Sequence, residues 1–161
     1  MPLIGIVAKR RESQAIRREL KDKNIEIIEI TKESIKNIKN IKFQEIIFLQ
    51  NINLDEEEYK YLKEIISKTK YLIFNGDIEI DILKKIELQK PIKLITFGFN
   101  SKSTITISSI TEEKIIACLQ RNIEKINGEI LECQEKQIII KDNKNIYNNL
   151  IVFIMKELNN V

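Results

Sequence analysis

Short isoleucine-rich runs return about every twenty-odd residues through the first hundred positions, at 3–7, 25–30, 45–49, 71–74 and 93–97. Each is strand-length and β-branched or aromatic, the pattern of a parallel strand buried on both faces. The charged segments between them carry apolar residues at helical spacing: Ala15, Ile16 and Leu20; Ile35 and Ile38; Leu62, Ile65 and Ile66; Leu83 and Ile86. Alternating strand and helix units with room for crossovers imply an α/β fold, a three-layer arrangement in which a mostly parallel sheet carries helices on both faces. At 161 residues the chain suits one domain, and no Pro/Gly/Ser linker or repeat divides it, so residues 1–161 are expected to fold as one unit.

After Gly98 the pattern changes. Residues 104–110, 114–119, 130–135 and 136–140 read as strands, with turns at Thr111-Glu112-Glu113 and Asn127-Gly128. These connections leave no room for helical crossovers, so a small antiparallel β segment is expected near residues 104–141, appended to the parallel sheet. Two helix starts are marked. Asp55 and Glu58 form a capping box, with Leu54 placed to staple onto Tyr59, and Asp142 or Asn143 caps a last helix whose apolar face is Ile146, Leu150, Phe153, Ile154 and Leu158.

Composition narrows the chemistry. The chain has no histidine and no tryptophan, which removes the commonest general base and the usual zinc ligand; no metal site is expected. Lysine and arginine total 27 against 24 acidic residues, a net charge of +3, and most positives are spread among acidic neighbours apart from Lys9-Arg10-Arg11 and Arg17-Arg18. Such a balance does not point to nucleic acid as a partner. Cys118 and Cys133 fall in strand-like apolar stretches and read as buried free thiols. The apolar opening stops at Lys9-Arg10-Arg11-Glu12, in the wrong charge order for a secretory signal and too short for a membrane span, so a cytoplasmic location away from the membrane is expected.

In an open parallel sheet, ligands gather beyond the carboxyl ends of the strands. The turn Ala8-Lys9-Arg10-Arg11 lacks the second glycine and the Lys-Ser/Thr pair of a phosphate-gripping loop, and its bulky side chains occupy the space that loop needs. Lys9, Arg10 and Arg11 can still attract an anion at a helix start, or simply form an exposed basic corner. No G-x-G-x-x-G follows any strand, and a receiver-type phosphorylation site is missing its acceptor, since Gln50-Asn51 follows the third strand. Asn75-Gly76-Asp77 at the end of the fourth run offers polar side chains on a sharp turn; alternatively Asp77 caps the next helix. Asn100, Ser101, Ser103 and Thr104 form a second polar cluster.

Three segments in order resemble the central, ATP-binding domain of the Mur ligases, which are ATP-dependent amide ligases. Residues Tyr71 to Asp77 resemble the family's strand into Asn-x-Asp-Asp, with Ile78 replacing the second aspartate. Lys93 to Gly98 resemble the next strand, which ends in an aromatic and a glycine. The segment 142–150 resembles the closing motif Gly-x-His-Asn-x-x-Asn: Asn145 and Asn148 match, whereas Asp142 and Lys144 replace the glycine and the histidine. The resemblance implies that Asn148 helps to hold an adenine, that Asn145 supports it, and that ATP or another nucleotide-like small molecule is the ligand; alternatively both asparagines serve as helix caps or polar surface residues, and the residues alone imply no cofactor. It lies mainly in residues 71–161. The Gly-Lys-Thr loop and the histidine of the metal shell are absent, so no catalytic residue is assigned. The expectation is a non-catalytic cytoplasmic protein built on a degenerate Mur ligase central domain, binding a partner protein or a nucleotide-like ligand through Lys9, Asn75, Asp77, Asn145 and Asn148. Two alternatives stand beside it: a residual amide ligase or ATPase related to peptidoglycan precursor synthesis that uses Lys9 and Asp77, and a structural homodimeric subunit.

Overall fold

The computed structural model describes residues 1–87 and 91–161. Five strands, β1 (Leu3–Val7), β2 (Glu26–Glu29), β3 (Glu45–Phe48), β4 (Tyr71–Asn75) and β5 (Lys93–Phe97), alternate with four helices, α1 (Arg10–Leu20), α2 (Ile35–Ile38), α3 (Glu56–Ser67) and α4 (Ile82–Lys85). Then come β6 (Ile105–Ile110), β7 (Lys114–Leu119), β8 (Ile123–Glu124), β9 (Ile130–Leu131), β10 (Gln134–Ile139) and α5 (Ile146–Asn159). The main sheet has eight strands in the order β10-β7-β6-β5-β4-β3-β1-β2. Strands β1 to β5 run parallel.

The antiparallel segment is present, but most of it continues the main sheet rather than standing beside it. β6 joins β5 in parallel through one bridge, Phe97 to Ile105, reinforced by Gly98 N–H donating to Ile105 O and by the Thr96 N–H and Thr104 side chain. β7 and β10 then extend it antiparallel, and only β8 and β9 form a separate two-stranded ribbon. Covering the edge of β5 in this way satisfies a row of backbone groups that would otherwise stay open. The expected break between strands at 135/136 falls instead at 132–133, which places Cys133 on an exposed connection and leaves Cys118 half-buried in β7. The prediction of two buried thiols therefore fails; an apolar-looking stretch does not distinguish a strand from the corner between two.

All residues of β3 and β4 are buried, and their side chains alternate between two cores. Ile4, Ile6, Ile47, Tyr71 and Ile73 face α1 and α5; Val7, Ile46, Phe48, Leu72 and Phe74 face α2, α3 and α4. Phe48 and Phe74 stack at 5.3 Å across the second core. Gly5 is closely packed: a Cβ there would meet Ile30 Cδ1 at 2.6 Å, so the Ile30 side chain would have to shift.

The α3 start is as expected: Glu58 N–H donates to Asp55 Oδ1 (2.8 Å) and Asp55 N–H to Glu58 Oε1 (2.9 Å), while Leu54 and Tyr59 pack against the second core. The backbone hydrogen bond from Glu58 is the main reason the Asp55 carboxyl is held below the usual range. On α4 the buried residue is Ile82, and Leu83 faces solvent, because a single turn can bury only its i and i+4 positions, Ile82 and Ile86. On α5 the cap is Asn145, in place of Asp142 or Asn143: its extended backbone lets Oδ1 accept from Asn148 N–H at 3.0 Å. Leu150, Ile151, Ile154, Met155 and Leu158 are buried, whereas Ile146 and Phe153 are only partly so. Among the described residues no helix is long and apolar enough to cross a membrane.

One charge-bearing group lies within this apolar frame. Glu45, at the start of β3, is fully buried; its Oε1 accepts from Asn159 Nδ2 at 2.7 Å and its Oε2 has no partner. Burial pushes its carboxyl from 4.5 up to about 8, only partly opposed by the Asn159 hydrogen bond. The folded state thus holds the proton more tightly than the unfolded chain does. Stability is complete below about pH 4.5 and falls as pH rises toward about 8, by at most about 1.4 kcal/mol per pH unit. Glu45→Gln should remove most of this slope and exceed the wild type in stability at pH 9. Urea unfolding of both proteins at pH 5, 7 and 9 measures it, and parallel pH profiles would refute the assignment.

Candidate functional site

The topology creates a crevice at a defined place. The β1-α1-β2 unit packs on one face of the sheet, and α2, which leads from β2 to β3, packs on the other, so the chain reverses direction across the sheet at β1/β3. The carboxyl end at such a reversal is where helix starts leave an opening. α1 begins directly after β1, with Lys9 in extended backbone and its N–H held by Glu12 Oε2 at 3.1 Å. α5 packs beside α1 on the same face. Between α1 and the segment leading into α5 lies a groove of about 800 Å³, whose lining includes Lys9, Arg11 and Arg18 on one side and Asn143, Asn145 and Asn148 on the other.

Two features make the groove a candidate site. Asn148 is 3% exposed and its Oδ1 has no hydrogen-bond partner; Asn143 Nδ2 is buried and likewise unpaired. Buried amide atoms are normally satisfied, so an unused acceptor and an unused donor on one groove are unusual. In addition, among the described residues no ion pair engages Lys9, Arg11, Arg18 or Lys144. The lining also includes Glu12, Glu19 and Asp142, so the groove offers charges of both signs with hydrogen-bonding amides between them. Among the described residues no three His, Cys, Asp or Glu side chains gather as a metal-binding set.

The five residues expected at the site divide into two groups. Lys9, Asn145 and Asn148 share the groove. Asn75 and Asp77 do not line it; they are tied into the structure at the ends of β4 and β5. Asn75 is buried, and its Oδ1 accepts from Asp77 N–H at 3.0 Å, closing the turn. The Asp77 carboxylate accepts from Phe99 N–H (2.7 Å), Asn100 N–H (2.8 Å) and the Tyr147 hydroxyl (2.9 Å). Nor does Asp77 cap the next helix, since α4 starts five residues later, after Asp81. Gly98, at φ +138°, permits the wrap around this carboxylate, and a Cβ there would collide with it.

Several participants were not visible in the sequence reading. Tyr147, between the two matched asparagines, joins α5 to the β4 and β5 turns, with Phe97 and Phe99 edge-on to its ring at 6.4 and 6.1 Å. Burial, then the hydrogen bond to Asp77, pushes the Tyr147 hydroxyl up to about 12. Arg18 reaches the groove together with Arg11, one of the cations expected to attract an anion, because the two lie seven residues apart, two turns along one helix side; that spacing could have flagged Arg18.

The Asp77 latch generates a stability prediction. Asp77→Ala removes three hydrogen bonds, each with a net worth of about 1 kcal/mol, so it should cost on the order of 2 kcal/mol, whereas Tyr147→Phe removes one donor and should cost about 1 kcal/mol or less. Thermal unfolding of the two variants tests the order; an unchanged Asp77→Ala midpoint would show that the latch does not hold α5.

No family model matches the chain, and no curated protein matches it. Among solved structures it is similar to the apo form of D-lactate dehydrogenase from Escherichia coli, at 15% identity and a TM-score of 0.33, over 60% of this chain and 30% of that one. The chain thus spans less than a third of that protein's length, and a likeness this slight carries no inference about ligand or activity.

Proposed function

We propose that this chain is a non-catalytic binding module whose groove between α1 and α5 takes a nucleotide-like small ligand, on a scaffold resembling a Mur ligase central domain without its phosphate loop. The observation that carries the reading is that Asn148, whose buried Oδ1 has no partner, lines the same groove as Lys9, which among the described residues makes no ion pair. An amide pairs naturally with the donor–acceptor edge of a heterocyclic base, and a lysine near a helix start suits an anionic group. The N-termini of α1 and α5 supply further free backbone donors on the same side. Binding without turnover fits the absence of a Gly-Lys-Thr loop from the sequence.

A residual ligase or ATPase would need Lys9 and Asp77 to act on one ligand. The Asp77 carboxylate is instead occupied by the Phe99 and Asn100 amides and the Tyr147 hydroxyl, so no observation favours that reading.

Thermal shift with ATP, ADP and UDP-sugars tests the proposal. A ligand at about 100 times its Kd should add roughly 2.7 kcal/mol, a rise of several degrees. Lys9→Ala should weaken the shift, and Asn148→Ala should abolish it or change which base is preferred. No shift with any nucleotide at millimolar concentration would exclude the small-ligand form and leave partner-protein binding.

A further inference from the structure

The near-balanced net charge conceals an uneven distribution of charge and of side-chain type. Residues 9–23 carry seven cations against three carboxylates, an excess of four; with +3 overall, the remainder of the chain is net −1. Five of the 27 cations are arginines, yet all four cations within α1 are arginines: Arg10, Arg11, Arg17 and Arg18. The fifth, Arg121, is used internally, donating to Thr104 Oγ1 at 3.4 Å and to Lys102 O at 3.2 Å. Among the described residues the four on α1 are exposed and take part in no ion pair.

Helical periodicity sorts these residues into faces. Ser13, Ile16 and Leu20 turn inward and are buried. Arg10, Arg11, Gln14, Arg17, Arg18 and Lys21 fill one continuous exposed arc without a carboxylate, while Glu12 and Glu19 sit on the half-buried flank along the groove. The pairs Arg10/Arg17 and Arg11/Arg18 are each seven residues apart, about 10.5 Å along the axis. That is close to three nucleotide steps of about 3.4 Å each. The arc also lacks what other partners require. The exposed large apolar side chains, such as Leu94, Phe99 and Ile139, lie on other elements, so no anchor can enter a bilayer and no apolar centre can seat a protein. Guanidinium forks match phosphate oxygens, and nucleic-acid interfaces are polar and cationic.

We propose that the outer arc of α1 binds the phosphate backbone of nucleic acid, without reading its sequence. Net charge pointed away from such a partner because it averages over a segregated surface. The arc extends beyond the groove: Arg11 and Arg18 border both surfaces, whereas Arg10 and Arg17 do not line the groove.

Fluorescence anisotropy of the full chain with a labelled single strand of about 20 nucleotides, and with the corresponding duplex, tests this from about 50 to 200 mM salt. Binding to either probe, weakening as salt rises, is the expected result. Arg10→Gln combined with Arg17→Gln should lower affinity about tenfold and flatten the single-strand slope of log K against log salt by about 1.4, for two phosphate contacts. Lys60→Gln combined with Lys63→Gln on α3 changes net charge equally and should leave affinity almost unchanged; circular dichroism checks that both variants keep their helices. Absence of binding at about 50 mM salt, an equal loss in both double variants, or tighter binding to vesicles of phosphatidylcholine and phosphatidylserine would each overturn the proposal.

Discussion

Burial of β3 and β4 on both faces is the constraint from which the rest of the structure follows. Buried side chains at every position, nearly all apolar and pointing alternately up and down, cannot be covered by helices on one side alone. The chain therefore has to cross from one face to the other, and it does so at β1/β3, where α1 goes to one layer and α2 to the opposite one. That crossing opens the carboxyl end of β1 and leaves the start of α1 beside the start of α5. The groove is thus a by-product of how the two cores are filled.

What gives the groove its second wall is the placement of α5, and here polar contacts decide more than apolar ones. The apolar face of α5 holds it against the sheet, but its first turn is located by Asn145 capping its own helix and by Tyr147 reaching the Asp77 carboxylate. The same carboxylate collects the amides that follow Gly98, so one side chain orders the turn after β4, the loop after β5 and the entry to α5. Asn148, one residue beyond Tyr147, is consequently held in place while its own oxygen remains unused. A polar atom kept unpaired inside a well-ordered frame is a cost to stability that a ligand can offset.

α1 serves both surfaces. Its inward face completes the first core, its flank lines the groove, and its outer arc concentrates free arginines. Arg11 and Arg18 border both the groove and the arc, whereas Arg10 and Arg17 lie outside the groove, so charge at those two positions can change without touching either the core or the groove amides. The buried Glu45 lies elsewhere, beside the C-terminal end of α5, and affects the stability of the frame rather than the chemistry at the strand ends.

Local patterning was enough to establish the α/β class, the five parallel strands with the four helices between them and the Asp55/Glu58 cap, because each depends on residues within a few positions of one another: a β-branched run, an i+4 repeat, a side chain returning to its own backbone. Lys9 was selected by its place after the first strand, and Asn145 and Asn148 by the resemblance of residues 142–150 to a family motif; the fold brings all three to one groove. Local patterning did not reveal that β6, β7 and β10 complete the main sheet, that Cys133 lies on a corner, or that Asp77 is spent on Phe99, Asn100 and Tyr147. Those outcomes were decided only by tertiary structure: the Asp77 contacts join residues 22 to 70 positions apart, and the meeting of the strands depends on sheet order and helix placement. Charge behaves in the same way: the chain determines how many cations there are, but only the folded helix decides that its arginines share one face.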